Sequence, residues 1–170
     1  MKNRLEHFDS QMDRDKLRIP LDLGEWVDRE VLLAWVREEI ETLDWGNPEL
    51  ERYLAAHPDY RPKALLTLMS YAYATGVLES EEMVSALRSN PDFKDLRPDP
   101  WLAAKDIERF RRENRALLKW GLVRVLTRAL QSQCQLTDLR SLAGVRATLA
   151  ESAAERLDMA RHMDRAAQGA

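Results

Sequence analysis

Apolar positions recur every three or four residues along most of this chain, and no segment alternates convincingly with a period of two. The pattern predicts helices and no sheet. Val31, Leu32, Trp35, Val36, Ile40 and Leu43 form one stripe, with Arg37, Glu38 and Glu41 opposite. That predicts a helix from a cap at Asp28 to about Asp44, ended by Gly46. Asn47-Pro48-Glu49 reads as cap, first-turn proline and first-turn acid of a short helix to about Ala56, stopped by His57-Pro58. Arg61-Pro62 opens a third helix to about Thr75. Its run Ala64 to Tyr73 is apolar nearly all round, as a central buried helix requires, and Gly76 suits a left-handed stop.

Ser80, followed by Glu81 and Glu82, starts a fourth helix to about Ser89, ended by Asn90-Pro91-Asp92. Pro98, Asp99 and Pro100 mark a turn or short helix around Trp101 and Leu102, after which Asp106 is expected to cap a long helix reaching about Leu130. Gln131 to Gln135 reads as a polar break. Thr137 or Asp138 then caps a last, Ala-rich helix to about Ala166, with Leu139, Leu142, Leu149, Leu157 and Met163 as a loose stripe. The expected fold is all-α: a compact multi-helix domain with a helix-turn-helix-like element and a C-terminal helical tail. The expected division is an irregular segment over 1–24, a helical domain over 25–130 and a C-terminal helix over 131–170.

Composition narrows the function classes. In 170 residues, 45% are hydrophobic and 32% charged, enough for a real core with well-solvated helix faces. The one cysteine, Cys134, cannot form an internal disulfide and has no His or Lys beside it, so it reads as an ordinary thiol. The first residues lack the apolar core of a signal peptide, and no apolar run approaches the roughly 20 residues of a membrane span, so a cytoplasmic location without membrane contact is expected. His7, His57 and His162 show no ligand spacing. Glu38, Glu39, Glu41 and Asp44 fall around several helix faces, as solvated acids do. Without a phosphate loop, a dinucleotide motif or a paired nucleophile and base, no catalytic residue, metal or cofactor is expected. The five tryptophans, Trp101 among them, are expected to pack in the core.

Charge distribution says more than the net of −3. Residues 1–59 hold 8 Lys/Arg against 15 Asp/Glu, whereas residues 60–130 hold 13 against 9. Within the second region, Lys105 to Arg128 carries eight cations and three acids. At about 100° per residue, Ile107, Phe110, Asn114, Leu117, Leu118, Gly121 and Val125 share one face. Lys105, Arg109, Arg112 and Lys119 cluster opposite, with Arg111 and Arg115 flanking the apolar stripe. A helix held by one face and cationic on the other can lie against a phosphate backbone or in a major groove. The competing explanation is an ordinary solvated face, stabilised by pairs such as Glu108 with Arg112 and covering core with its arginine stems. The capped helix before it gives helix-turn-helix-like order, although the gap from Asn90 to Lys105 is longer than a three- or four-residue turn.

The run Tyr60 to Leu118 resembles the N-terminal domain of InsH-like DDE insertion-sequence transposases. The pieces that carry the resemblance are Tyr60-Arg61-Pro62-Lys63-Ala64-Leu65-Leu66, Tyr71-Ala72-Tyr73-Ala74-Thr75-Gly76, Ser80-Glu81-Glu82-Met83, Arg97-Pro98-Asp99 and Ile107-Glu108-Arg109-Phe110-Arg111-Arg112-Glu113-Asn114. The resemblance implies a region that binds the terminal repeats of the element, with Arg109, Arg111 and Arg112 in the DNA-contacting element. Two departures stand out. Glu82 replaces the family's usual Arg, and Lys105-Asp106 replaces a Ser/Thr cap, placing a negative charge where a phosphate would approach. The family's catalytic RNase H-like strands are not expected in the residues after Leu130, which read as helix, so the chain is expected to be a truncated or stand-alone, non-enzymatic relative.

Three expectations follow. The first is a duplex-DNA-binding module using Lys105, Arg109, Arg111, Arg112, Arg115 and Lys119. The second is an interaction or oligomerisation module, a homo-oligomer or a regulator of a full-length transposase, motivated by the acidic first third and the Ala-rich last helix. The third is a folded remnant without function.

Overall fold

A computed structural model describes residues 18–46, 48–56, 61–98, 100–134 and 139–169. The expected stops and caps at Asn47, His57-Pro58, Asp99 and Thr137 or Asp138, and the Tyr60 that begins the resemblance, lie outside these residues. Among the described residues, seven α-helices follow one another: α1 (Arg29–Glu41), α2 (Pro48–Ala56), α3 (Pro62–Ala74), α4 (Ser80–Ser89), α5 (Ala104–Glu113), α6 (Arg115–Cys134) and α7 (Leu139–Gln168). Short 3-10 turns occupy Leu23–Glu25 and Pro91–Leu96. There is no strand among the described residues, only an isolated bridge between Asp22 and Thr75. The fold is all-α, as the 3.6-residue periodicity requires.

The uniformly apolar α3 is the central helix. Leu65, Leu66, Leu68, Met69 and the residues from Ser70 to Ala74 are all buried, and α1, α5 and α6 pack around it. Gly76, at φ +80°, ends it in the left-handed region. Gly121 lets α6 approach closely, because a Cβ there would stand 3.3 Å from both the Ile40 Cδ1 and the Ser70 Oγ. One continuous core runs from Leu23 through α1, α3, α4, α5 and α6 to Val145, Leu149, Ala153, Leu157 and Ala160 of α7. The last helix therefore packs into the bundle, chiefly against α6.

Several local expectations are corrected. The long helix breaks at Asn114, whose backbone sits at φ −122°, ψ 31° and whose side-chain amide donates to the Phe110 carbonyl (3.1 Å). A short polar side chain that bonds its own backbone competes with the helix ladder, which is why the break falls there. Asp106 lies in the first turn of α5 and reaches back to accept from the Ala103 N–H (3.1 Å). The polar run from Gln131 does not interrupt α6, which continues to Cys134. Val31 and Met163, expected on apolar stripes, are exposed. Trp26, Trp35 and Trp45 pack against the core, but Trp101 is 87% exposed and Trp120 is 38% exposed. Trp101 lies in the turn before α5, off any helical stripe, and Trp120 stands beside the α6 stripe and stacks on Arg124 (4.8 Å).

Candidate nucleic-acid interface

The six cations expected on one surface take three different situations. Lys105 and Arg112 are exposed and Lys119 is half-buried, and none of the three forms an ion pair with a described residue. Lys105, Arg109 and Arg112 recur at four- and three-residue spacing on α5, opposite the buried Ile107 and Phe110. Arg109 shares this ridge and also pairs with Asp106 (2.9 Å). Arg115 pairs with Asp158 of α7 (3.0 Å), both half-exposed.

Arg111 is a correction. It was expected to flank the stripe in contact with solvent, yet it is only 6% exposed. Its guanidinium donates to the Asp164 carboxylate of α7 and to the Tyr73 hydroxyl of α3 (3.1 Å). Asp164 also accepts from the Ser80 N–H and the Ser80 hydroxyl, both at 2.8 Å. Ser80 is thus the first residue of α4, and a carboxylate 84 residues away takes the place of a local cap. Burial by itself would lower the Arg111 pKa, but Tyr73 and Asp164 outweigh it and raise the pKa. The Tyr73 hydroxyl is pushed up to about 12, chiefly by burial, against the pull of Arg111. An arginine so held is a structural group and does not reach a phosphate.

The C-terminal half of the basic segment is likewise engaged. Arg124 bonds the Glu39 carboxylate (2.5 Å). Arg128 pairs with Glu38 (2.6 Å) and lies over the Trp35 ring (5.0 Å). Part of the acidic first third therefore faces part of the basic middle across the α1–α6 seam, and Lys63 adds a pair with Glu41 (2.9 Å).

A second buried arginine was not foreseen. Arg156 of α7 is 2% exposed and donates to the carbonyls of Pro20 (2.7 Å), Leu21 (2.5 Å) and Tyr73 (2.7 Å). Burial lowers its pKa to about 10, with Asp22 and Glu155 pulling the other way. It ties residues 20–21 to the end of α3 and to α7.

These contacts fix how α7 lies beside α5. Arg115 meets Asp158, Arg111 meets Asp164, and Glu108 accepts from the Gln168 side chain (2.8 Å), so the two run antiparallel. This brings Arg161 and Arg165, both exposed, next to a basic ridge some 50 residues earlier in sequence. Sequence reading missed them because no signal on α7 says which helix it docks against.

Among the described residues no group of three or more His, Cys, Asp or Glu is placed to hold a metal ion, and no helix is long and apolar enough to cross a membrane. Comparison with family models, curated proteins and solved structures gives no match.

Proposed function

We propose that the chain is a non-catalytic duplex-DNA-binding module, of the kind its resemblance to transposase N-terminal domains implies, with its contact surface on the outer face of α5. One observation carries this reading: Lys105, Arg109 and Arg112 form an outward ridge on a helix whose inner face is buried by Ile107 and Phe110. A rigidly anchored row of cations gains affinity by releasing condensed counterions from the phosphate backbone, and needs no pocket. Arg115 and Lys119 extend the row beyond the Asn114 break. Arg111 has no part in it. Anisotropy titration of a labelled duplex tests the reading. Micromolar binding is expected at 50 mM salt, falling steeply as salt rises, and Arg112→Ala should lower the salt slope by about 0.9, one phosphate contact. A wild-type chain that leaves micromolar duplex unbound at 50 mM salt refutes it.

A second reading, self-association through α7, is favoured by the exposed Met159 and Met163, one turn apart on that helix. Light scattering at high micromolar concentration tests it, with Met159→Lys/Met163→Lys as the comparison. A strict monomer, or a dimer unchanged by that pair, contradicts it. Removing the whole helix would not test the point, because α7 supplies Arg156, Asp164 and part of the core.

A further inference from the structure

The cationic surface does not end with α5. Three cross-ties, Arg115 with Asp158, Arg111 with Asp164 and Glu108 with Gln168, draw the line along which the C-terminal half of α7 lies against α5 and the start of α6. At about 100° per residue, Arg161 falls between the tie residues on the α7 wheel, and Arg165 falls one step further round, beside Asp158 and on the side away from Leu157 and Ala160. Both are exposed, and Arg161 approaches Asp158 at 3.4 Å. The combined outer surface of α5, the start of α6 and the C-terminal half of α7 carries Lys105, Arg109, Arg112, Arg115, Lys119, Arg161 and Arg165 against Asp106, Glu108, Glu113, Glu155 and Asp158. It stays cationic although five acids lie on it.

We infer that Arg161 and Arg165 bind the phosphate backbone of the same duplex as the α5 ridge, making the surface a two-helix footprint. This inference rests on the DNA-binding reading above and adds to it residues far away in sequence. The case for a polyanion is charge complementarity along an extended surface. Two antiparallel helices lie roughly 8–10 Å apart, so the footprint is a band wide enough to follow successive phosphates rather than a single point. The buried Arg111–Asp164–Ser80 junction holds the band rigid from beneath, so the outer arginines are positioned before the ligand arrives.

The test compares two double variants with the same loss of charge, Arg161→Ser/Arg165→Ser on the proposed footprint and Arg37→Ser/Arg146→Ser at exposed positions on α1 and on the other half of α7. A 20-base-pair duplex is titrated with each full-length chain between 50 and 200 mM salt. The footprint pair should lower the slope of log affinity against log salt by about 1.8, two phosphate contacts, and the control pair should leave it within error of wild type. The charge-retaining pair Arg161→Lys/Arg165→Lys should keep the wild-type slope. Equal effects from the two serine pairs, or a lysine pair as weak as the serine pair, would overturn the inference while leaving the α5 reading in place. A wild-type chain that does not bind would overturn both.

Discussion

The helices α5 and α6 each carry four cations, accompanied by three acids in α5 and by none in α6, and the fold divides these cations between two uses. On the outer face of α5, Lys105 and Arg112 point to solvent without an ion pair to any described residue, and Arg109 joins them on the same ridge. Elsewhere, Arg111 of α5 is sealed against Asp164, and Arg124 and Arg128 of α6 join Glu39 and Glu38 at the half-exposed α1 seam. Basicity alone does not define a binding surface. What decides is whether the neighbouring helix presents a carboxylate, and that depends on packing.

The largest effect is expected at the most buried of these contacts. Asp164→Ala should cost about 3–5 kcal/mol in urea unfolding, because it strands a buried guanidinium and the Ser80 donors. A loss under 1 kcal/mol would mean that Arg111 escapes to solvent. The Tyr73 beside it adds a pH dependence. Its hydroxyl keeps its proton to about pH 12 in the fold, against about 10 in an unfolded chain. Its contribution to stability is therefore complete below pH 10 and is lost as pH rises towards 12, by up to about 1.4 kcal/mol per pH unit. Arg156 has the opposite sign. Its pKa is lowered in the fold to about 10, so the strain of burying its charge is relieved above that pH. Chemical unfolding of Tyr73→Phe between pH 10 and 12 should show a less steeply falling, or rising, stability than wild type. Parallel curves contradict this assignment.

Next in size is Arg156→Met, expected to cost about 1–3 kcal/mol, less than Asp164→Ala, because carbonyls lose donors but no carboxylate is left unpaired. Limited proteolysis should then cut near residues 18–21 faster than in wild type, and an unchanged cutting rate would show that those residues are held by other contacts. The smallest effect belongs to the half-exposed seam. Arg128→Ala should lower stability by about 1 kcal/mol or less in thermal unfolding and leave duplex affinity unchanged. A drop in affinity equal to that of Arg112→Ala would erase the distinction between the two regions.

Much of the fold was legible because local physics decides it. The Asp28 cap accepts from the Glu30 N–H (2.9 Å), Pro62 opens α3, Gly76 closes it at positive φ, and the Ile107, Phe110, Leu118 and Val125 face is buried as its periodicity requires. The breaks and caps that depend on distant partners were not legible. Ser80 looked like a local cap, and only the tertiary fold reveals that Asp164 serves it from the other end of the chain. Arg111 and Arg112 are adjacent and chemically identical, yet one helix step of 100° sends the first into the core and leaves the second outside. Trp101 shows the reverse error, since a large apolar residue beside prolines lies in a turn with no stripe to join.

The proposed division is that the outer ridge of α5 binds phosphate while the cations bonded to α1 carboxylates hold the fold. The most direct test is the salt dependence of duplex affinity for Lys105→Ser/Arg109→Ser/Arg112→Ser set against Arg124→Ser/Arg128→Ser. The first variant should lower the slope by about 2.7, three phosphate contacts, while the second should keep the wild-type slope. Equal slopes for the two variants, or a larger loss from the seam pair, would contradict it.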